Sequence, residues 1–421
     1  MSELKLSQLA ETLIGSEIVK LGSEIREKIK EGQQIYNYTI GDFEPSIFPI
    51  PQSLENEIIE AYKNKYTNYP TAEGNLDLRE AIGQFVNHQQ GLTYSASEII
   101  IASGGRPLIY SLFRTIVDEG DKVIYSVPSW NNNHYSHFVN AQHVAIETTE
   151  KTNFMLTAND LQPHLKGASL ISLCSPQNPT GTTFSYDELI KICDLVIAEN
   201  KSRSATEKRL YVMFDQMYCS LTFGDIVHYN PVSIRPEMKN HTIFIDAISK
   251  VFAATGVRVG WAMGPPSVIA KMKPLLTHIG AWAPMAEQKA VANFLAKTSD
   301  IETYLKIFKT KIHERLIEIY DGFQKLKGDG FLVNAIVPQA AIYLTIQFDL
   351  VNKKTSQGLI LKTQADVTAF LLNSTGLAIV PFSAFGASAS SSWYRLSVGT
   401  CRKEEIGQMF EKLRMALSDL H

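Results

Sequence analysis

Lys250 and Arg258 stand eight residues apart in DAISKVFAATGVRVGWAMG (246–264), a stretch otherwise poor in charge. Lys250 follows the apolar run TIFIDAI and Arg258 precedes another, VGWAMG, so both cations sit at the ends of segments that read as buried strands. A cation buried without a partner costs several kcal/mol, so the pair requires something anionic or covalent beside it. A desolvated lysine amine is a nucleophile toward carbonyl carbon, and a guanidinium clamps phosphate or carboxylate.

The elements that must position them are written in an alternating pattern. Runs at 98–103, 122–127, 143–148, 169–175, 209–215, 242–248 and 259–264 are short and rich in Val, Ile, Leu and Phe, and most are apolar throughout. Helical segments lie between them, among them 76–90 and a helix after Gly104-Gly105 whose stripe is Leu108, Ile109, Leu112, Phe113, Ile116 and Val117. Continuous apolar strands separated by helices predict an α/β fold with a large, doubly wound, mostly parallel sheet buried on both faces. From about residue 300 a long charge-rich helix precedes AAIYLTIQF and YRLSVGT, which read as antiparallel strands. The expected division is a large domain over 46–300 and a smaller α/β domain built from 1–45 and 301–421. Residues 7–30 are expected to be helical.

Ligands of open parallel sheets gather beyond the carboxyl ends of the strands. The residues there are Ser103-Gly104-Gly105-Arg106, Pro128-Ser129-Trp130, Asn178-Pro179-Thr180-Gly181, Asp215-Gln216-Met217-Tyr218 and Ser249-Lys250. This set matches the functional groups of pyridoxal 5'-phosphate one by one. Lys250 would join its aldehyde as a Schiff base, and Asp215 would keep its ring nitrogen protonated. Asn178 and Tyr218 would bond its phenolic oxygen, and Trp130 would stack on the ring. The glycine turn at Gly104 and Gly105 would offer the phosphate the N–H groups of Gly105 and Arg106 at a helix start, joined by Ser249 and Arg258. Lys250, Asp215 and Tyr218 form the expected catalytic set.

Asn178-Pro179-Thr180-Gly181, Asp215-x-x-Tyr218 and Ser249-Lys250 with Arg258 eight residues on resemble the signature blocks of the class I/II, fold-type I pyridoxal-phosphate aminotransferases. The resemblance runs from about residue 30 to the C-terminus. It implies that Tyr69 reaches across a homodimer interface to the neighbouring phosphate, that Arg395 grips the substrate α-carboxylate, and that Gly41 and Asn178 also lie against the substrate. It further implies ping-pong transfer of an amino group from an L-amino acid to a 2-oxo acid, with Lys250 as general base and acid. One departure is Ala247, where many relatives carry a phosphate-binding serine. A lyase or synthase of the same fold type would use the same Lys250, Asp215 and Arg258. Substrate choice stays open: Arg106 suits a distal carboxylate, as in aspartate, whereas Trp282 between Ala281 and Ala283 suits an aromatic or aliphatic side chain.

The chain has 421 residues, 45% hydrophobic and 20% charged, with a formal net charge of -3, which offers no basic field for nucleic acid. Cys174, Cys193, Cys219 and Cys401 show neither CxxC spacing nor disulfide-like density, which suits a reducing cytoplasm and no zinc site. No apolar run approaches the ~20 residues that span a bilayer, and the N-terminus lacks the apolar core of a signal peptide.

Overall fold

The apolar runs become seven strands of one sheet: β1 (Ile99–Ala102), β2 (Lys122–Val127), β3 (Gln142–Glu147), β4 (Ala168–Cys174), β5 (Tyr211–Asp215), β6 (Thr242–Ala247) and β7 (Gly260–Met263). In the computed structural model, which describes residues 6–13, 15 and 17–421, their spatial order is β1-β7-β6-β5-β4-β2-β3. Strands β2 to β6 pair in parallel, whereas β7 runs antiparallel to both of its neighbours. That reversal is not written in the apolar pattern of β7, which is as continuous as the others. It has a consequence for the site, because the start of β7 lies beside the carboxyl ends of the parallel strands.

Both faces of the sheet are covered. Helix α1 (Leu76–Gln90) buries Leu78, Ile82, Phe85 and Val86 on one face, in a core shared with Ile171, Val212, Phe214 and Phe244. Helix α2 (Gly105–Ile116) buries Leu108, Leu112, Phe113 and Ile116 on the other, against Ile100, Val123, Leu170 and Ile243. Each fully buried side chain of this size is worth about 1.5–3 kcal/mol, so the two faces clamp the strands and fix where their ends emerge.

Helix α3 (Thr298–Gly328) spans 31 residues. Its first turns place Ile301 and Leu305 in the α1 core, and from Phe308 onward it packs into a second core. That second core covers an antiparallel sheet of β8 (Val333–Ala335), β9 (Tyr343–Phe348), β10 (Val380–Pro381) and β11 (Trp393–Ser397), ordered β10-β11-β9-β8. Tyr36 and Asn37 pair in parallel with Leu377 and Ala378, so the N-terminal segment folds back onto the C-terminal part.

The helix expected over 7–30 is two helices, Gln8–Thr12 and Glu17–Lys30. Leu13 between them is extended, and Gly15 is a weak helix former; Ile14 and Ser16 of that segment, like residues 1–5, lie outside the described residues. No helix among the described residues is long and apolar enough to cross a membrane.

The two sheets meet at Gly181. Its φ is +70°, and a Cβ there would lie 2.3 Å from the Tyr343 carbonyl oxygen and 3.1 Å from that of Ala340. Left-handed strain alone costs about 1–3 kcal/mol in a side-chain-bearing residue, and here a backbone clash is added. Gly181→Ala is expected to lower the urea unfolding midpoint clearly, whereas Gly407→Ala, where nothing lies within 4 Å, should leave it nearly unchanged; equal midpoints would show that the contact between sheets carries no strain.

Candidate active site

The residues expected to do chemistry converge on one edge of the large sheet. Strand β5 ends in Asp215, and β6 leads into a single helical turn, Ile248–Val251, that carries Ser249 and Lys250. After β1 the chain turns at Gly104 (φ +87°) into α2. Because β7 is antiparallel, Arg258 emerges at this same edge: its guanidinium donates to the Ser103 carbonyl at 2.9 Å and to that of Thr255 at 2.7 Å. A Cβ on Gly104 would sit 2.1 Å from an Arg258 nitrogen, so the guanidinium occupies the space that the glycine leaves. The free N–H groups of the α2 N-terminus and Arg258 thus share a corner suited to a dianion.

Lys250 donates from Nζ to the Gly41 carbonyl at 2.5 Å. Burial pushes its amine down to about 8; Asp42 opposes the shift, and Arg395, Arg106 and Arg258 reinforce it. Asp215 is the converse case. Its carboxylate accepts from the Met217 N–H at 3.1 Å, and burial raises it to about 6. It forms no ion pair with a described cation, so a protonated ring nitrogen is the kind of partner it lacks. The Tyr218 hydroxyl pairs with that of Tyr343 at 2.6 Å, and burial holds Tyr218 well above the usual phenol range.

Arg395, from the centre of β11, is only 3% exposed. It donates to the Asn178 side-chain oxygen at 3.0 Å and the Thr39 carbonyl at 2.6 Å, and lies 4.7 Å and 4.8 Å from the ring centres of Tyr343 and Phe385. Among the described residues its Nε has no partner, and no carboxylate pairs with it. A buried guanidinium with spare donors and no anion beside it has the chemistry to take a carboxylate. Gly41 keeps the approach open: a Cβ there would fall 2.7 Å from the Tyr343 hydroxyl and 3.6 Å from Arg395.

Lys250, Gly41, Asn178, Arg395, Tyr218 and Asp215 are therefore linked directly or through one neighbour, and Arg106 and Arg258 are close enough to act on the Lys250 amine. Ser249 is buried one residue away. Trp130 is half-buried, with the Arg106 guanidinium 4.6 Å over its ring. Tyr69 stands apart: it is 81% exposed, and its ring contacts Trp282 at 5.4 Å. Tyr343, Asp42 and Phe385 belong to the site and were not singled out by the sequence. Asp42 directly follows Gly41, and it accepts from the Thr255 hydroxyl at 2.7 Å. Tyr343 and Phe385 carried no signal beyond an apolar strand and a loop aromatic: the face Tyr343 presents depends on the pairing of β9 with β11, and Phe385 comes from the turn Phe382–Phe385 after β10.

Three comparisons place this geometry among known proteins. The family described as aminotransferase class I and II matches residues 37–413. A probable aspartate/prephenate aminotransferase of Rhizobium leguminosarum bv. phaseoli is 27% identical over 395 residues, covering 92% of this chain and 93% of the relative. The aspartate aminotransferase of Geobacillus stearothermophilus is 27% identical over 388 residues, covering 91% and 92%. Among solved structures, the aspartate aminotransferase of Rhizobium meliloti superposes with a TM-score of 0.90 at 24% identity over 99% of this chain and 100% of that one. An aromatic aminotransferase of Pyrococcus horikoshii gives 0.80 at 22% identity over 94% and 98%.

The depressed Lys250 amine sets a pH dependence. Only the neutral amine attacks an aldehyde, and the neutral fraction rises as pH climbs through about 8. Capture of pyridoxal phosphate by the cofactor-free protein, followed by absorbance, is expected to accelerate through that pH and then level off, about two units below where an ordinary lysine would do so. A rate still climbing steadily beyond pH ~10 would place an ordinary, solvated lysine in this role.

Proposed function

Because the chain belongs to the class I and II aminotransferases, we propose that it is a pyridoxal-phosphate-dependent enzyme moving the amino group of an L-amino acid to a 2-oxo acid, with preference for acidic substrates such as aspartate. The observation that carries this reading is a buried amine at Lys250 among three guanidinium groups, Arg106, Arg258 and Arg395. Such an array is costly unless anions and a covalent partner satisfy it.

The residues present fit the cofactor. In this reading Lys250 holds its aldehyde, Asp215 its ring nitrogen, Tyr218 and Asn178 its phenolic oxygen, and Trp130 its ring face. Gly104, Gly105, Arg106, Ser249 and Arg258 hold its phosphate. When bound, the cofactor supplies a carbonyl carbon for the amino group and a conjugated ring that accepts the electron pair of the substrate Cα–H bond. Arg395 clamps the α-carboxylate and so fixes the direction of that bond, with Asn178 and Gly41 beside it. Lys250 Nζ would take the proton from the substrate Cα and deliver it to the cofactor's former carbonyl carbon. With an amine near 8, about a tenth of the free side chain is neutral at pH 7, enough for a base that stands against its substrate. Asp215 keeps the ring nitrogen protonated, and Tyr218, Tyr343 and Phe385 wall the cleft against water.

Support for an acidic substrate comes from Arg106. Its guanidinium pairs with no described carboxylate, rests on Trp130 and lies close enough to Lys250 to shift it. Relatives named for aspartate are consistent with this preference. The alternative of an aromatic or aliphatic substrate rests on Trp282, whose ring contacts that of Tyr69. The exposure of Tyr69 supports a homodimer in which this ring serves the neighbouring molecule's cofactor. We also read residues 46–300 as a large domain and 1–45 with 301–421 as a smaller one, and a cytoplasmic setting, which the four unpaired cysteines suit.

Three measurements test the proposal. Initial rates with varied amino and oxo acids should give parallel double-reciprocal lines, and Lys250→Ala should abolish turnover; intersecting lines would count against a shuttled amino group. Arg106→Ala is expected to cut kcat/KM for aspartate by about tenfold to a hundredfold, the worth of one charged hydrogen bond, with little change for phenylalanine, and an equal loss for both would remove Arg106 from substrate choice. Tyr69→Phe should loosen cofactor retention in the dimer without altering the sedimentation coefficient; unchanged retention would exclude Tyr69 from the phosphate site.

A further inference from the structure

The loop that joins Lys250 to Arg258 is held in an unusual shape. Ala253 and Arg258 both take positive φ, +51° and +62°, a conformation that side-chain-bearing residues keep only where their surroundings enforce it. The Ala253 N–H donates to the Lys250 carbonyl at 3.4 Å and the Val257 N–H to that of Ala254 at 3.2 Å, which curls the loop. Arg258 closes it by donating to the Thr255 carbonyl at 2.7 Å. The Thr255 side chain then reaches a distant part of the chain, its hydroxyl donating to Asp42 Oδ1 at 2.7 Å.

Asp42 belongs to the segment that folds back onto the second sheet. Its Oδ1 also accepts from the Phe43 N–H at 2.8 Å, and the Glu44 N–H donates to the Gly399 carbonyl, just after β11, at 2.9 Å. The Asp42 carbonyl lies so close to Gly399 that a Cβ there has no room. Asp42 is thus fixed from both sides of the cleft, through its backbone to the end of β11 and through its carboxylate to the loop after Lys250. Its neighbour Gly41 supplies the carbonyl to which Lys250 Nζ donates at 2.5 Å. The Asp42 charge is felt at the same place, because it opposes the downward shift of the Lys250 amine and adds to the upward shift of the Tyr343 phenol. Arg395 from β11, Arg106 from α2 and Arg258 ahead of β7 act on that amine in the opposite sense. Asp215 ends the neighbouring strand β5, and Tyr218 and Tyr343 line the cleft.

We propose that Asp42, clasped by Thr255, is a positioning residue for Lys250: it fixes the Gly41 carbonyl as the resting place of the free amine and sets a negative charge against the three guanidinium groups around it. The role rests on the reading of Lys250 as the base of amino-group transfer. A carbonyl orients an amine but does not offset cations, whereas a carboxylate does. An amine driven too far down by three guanidinium groups is a weak base, and the Asp42 charge limits that loss.

Capture of pyridoxal phosphate by the full chain freed of cofactor, followed by absorbance, reads the neutral fraction of the amine at each pH. An amine near 8 is about a tenth neutral at pH 7 and about nine-tenths neutral at pH 9, so the wild-type rate should rise roughly tenfold between them. Asp42→Asn keeps an acceptor for Thr255 and removes the charge. The amine then loses its proton at lower pH, and the ratio of the two rates should fall to about threefold or less, with the pH 9 rate retained. Thr255→Val deletes the hydroxyl at nearly constant volume and should lower the ratio in the same direction, and Thr255→Ser should restore it. A wild-type ratio in Asp42→Asn or in Thr255→Val, whether or not both rates are slower, would overturn this role and leave the reading of Lys250 standing. No capture by the wild type at any pH would remove that reading and this role with it.

Discussion

Positive charge gathered in a desolvated cleft is the constraint on which this structure depends. Arg106, Arg258 and Arg395 surround Lys250, and burial with their repulsion brings the amine to about 8, against the pull of Asp42. An arrangement of this kind destabilises the bare fold unless anions come to occupy it. Asp215 is the complement: a carboxyl without a described cation, raised by burial toward neutrality. Charges set apart in this way stay poised for a ligand that is cationic at one atom and anionic at two others.

The scaffold keeps those charges from neutralising one another. Asp215 and Lys250 leave the ends of neighbouring parallel strands, β5 and β6, whose register pairs Asp215 with Ile245. Arg258 is tied to the carbonyl oxygens of Ser103 and Thr255 and passes through the gap beside Gly104, so it cannot swing toward Asp215. Arg395 is braced by Asn178 and the Thr39 carbonyl, with aromatic rings nearby. Every one of these braces is a neutral acceptor, which orients a cation without discharging it. The second sheet matters for the same reason, since β9 and β11 bring Tyr343 and Arg395 to a cleft whose other wall is the first sheet.

The carboxyl at the end of β6 obeys the same logic on a smaller scale. Asp246 accepts from Gln216, the Cys219 thiol and the Ala247 N–H, with no described cation paired to it, and burial raises it to about 7. Two strand ends thus each carry a desolvated carboxyl, Asp215 and Asp246, and the repulsion from Asp215 adds to the shift of Asp246. The turn between Asp215 and Cys219 is therefore a polar seam, tied to Asp246 through Gln216 and Cys219.

The amino-acid sequence by itself determined the strands, nearly to the residue for β2 and β6, because fully buried strands demand continuous apolar runs and little else reads that way. It also brought out the candidate residues, since Lys250, Asp215, Asn178 and the glycine turn each follow a strand and what lies beyond strand ends is local in the chain. What it left undecided was everything that depends on pairing at long range. The antiparallel course of β7 brings Arg258 back to the Lys250 edge, and the β9–β11 register puts Tyr343 under Arg395. The break between Thr12 and Glu17 interrupts a helix that periodicity alone continued. Such choices are set by which apolar face meets which, and that is a property of the packed molecule rather than of any window of residues.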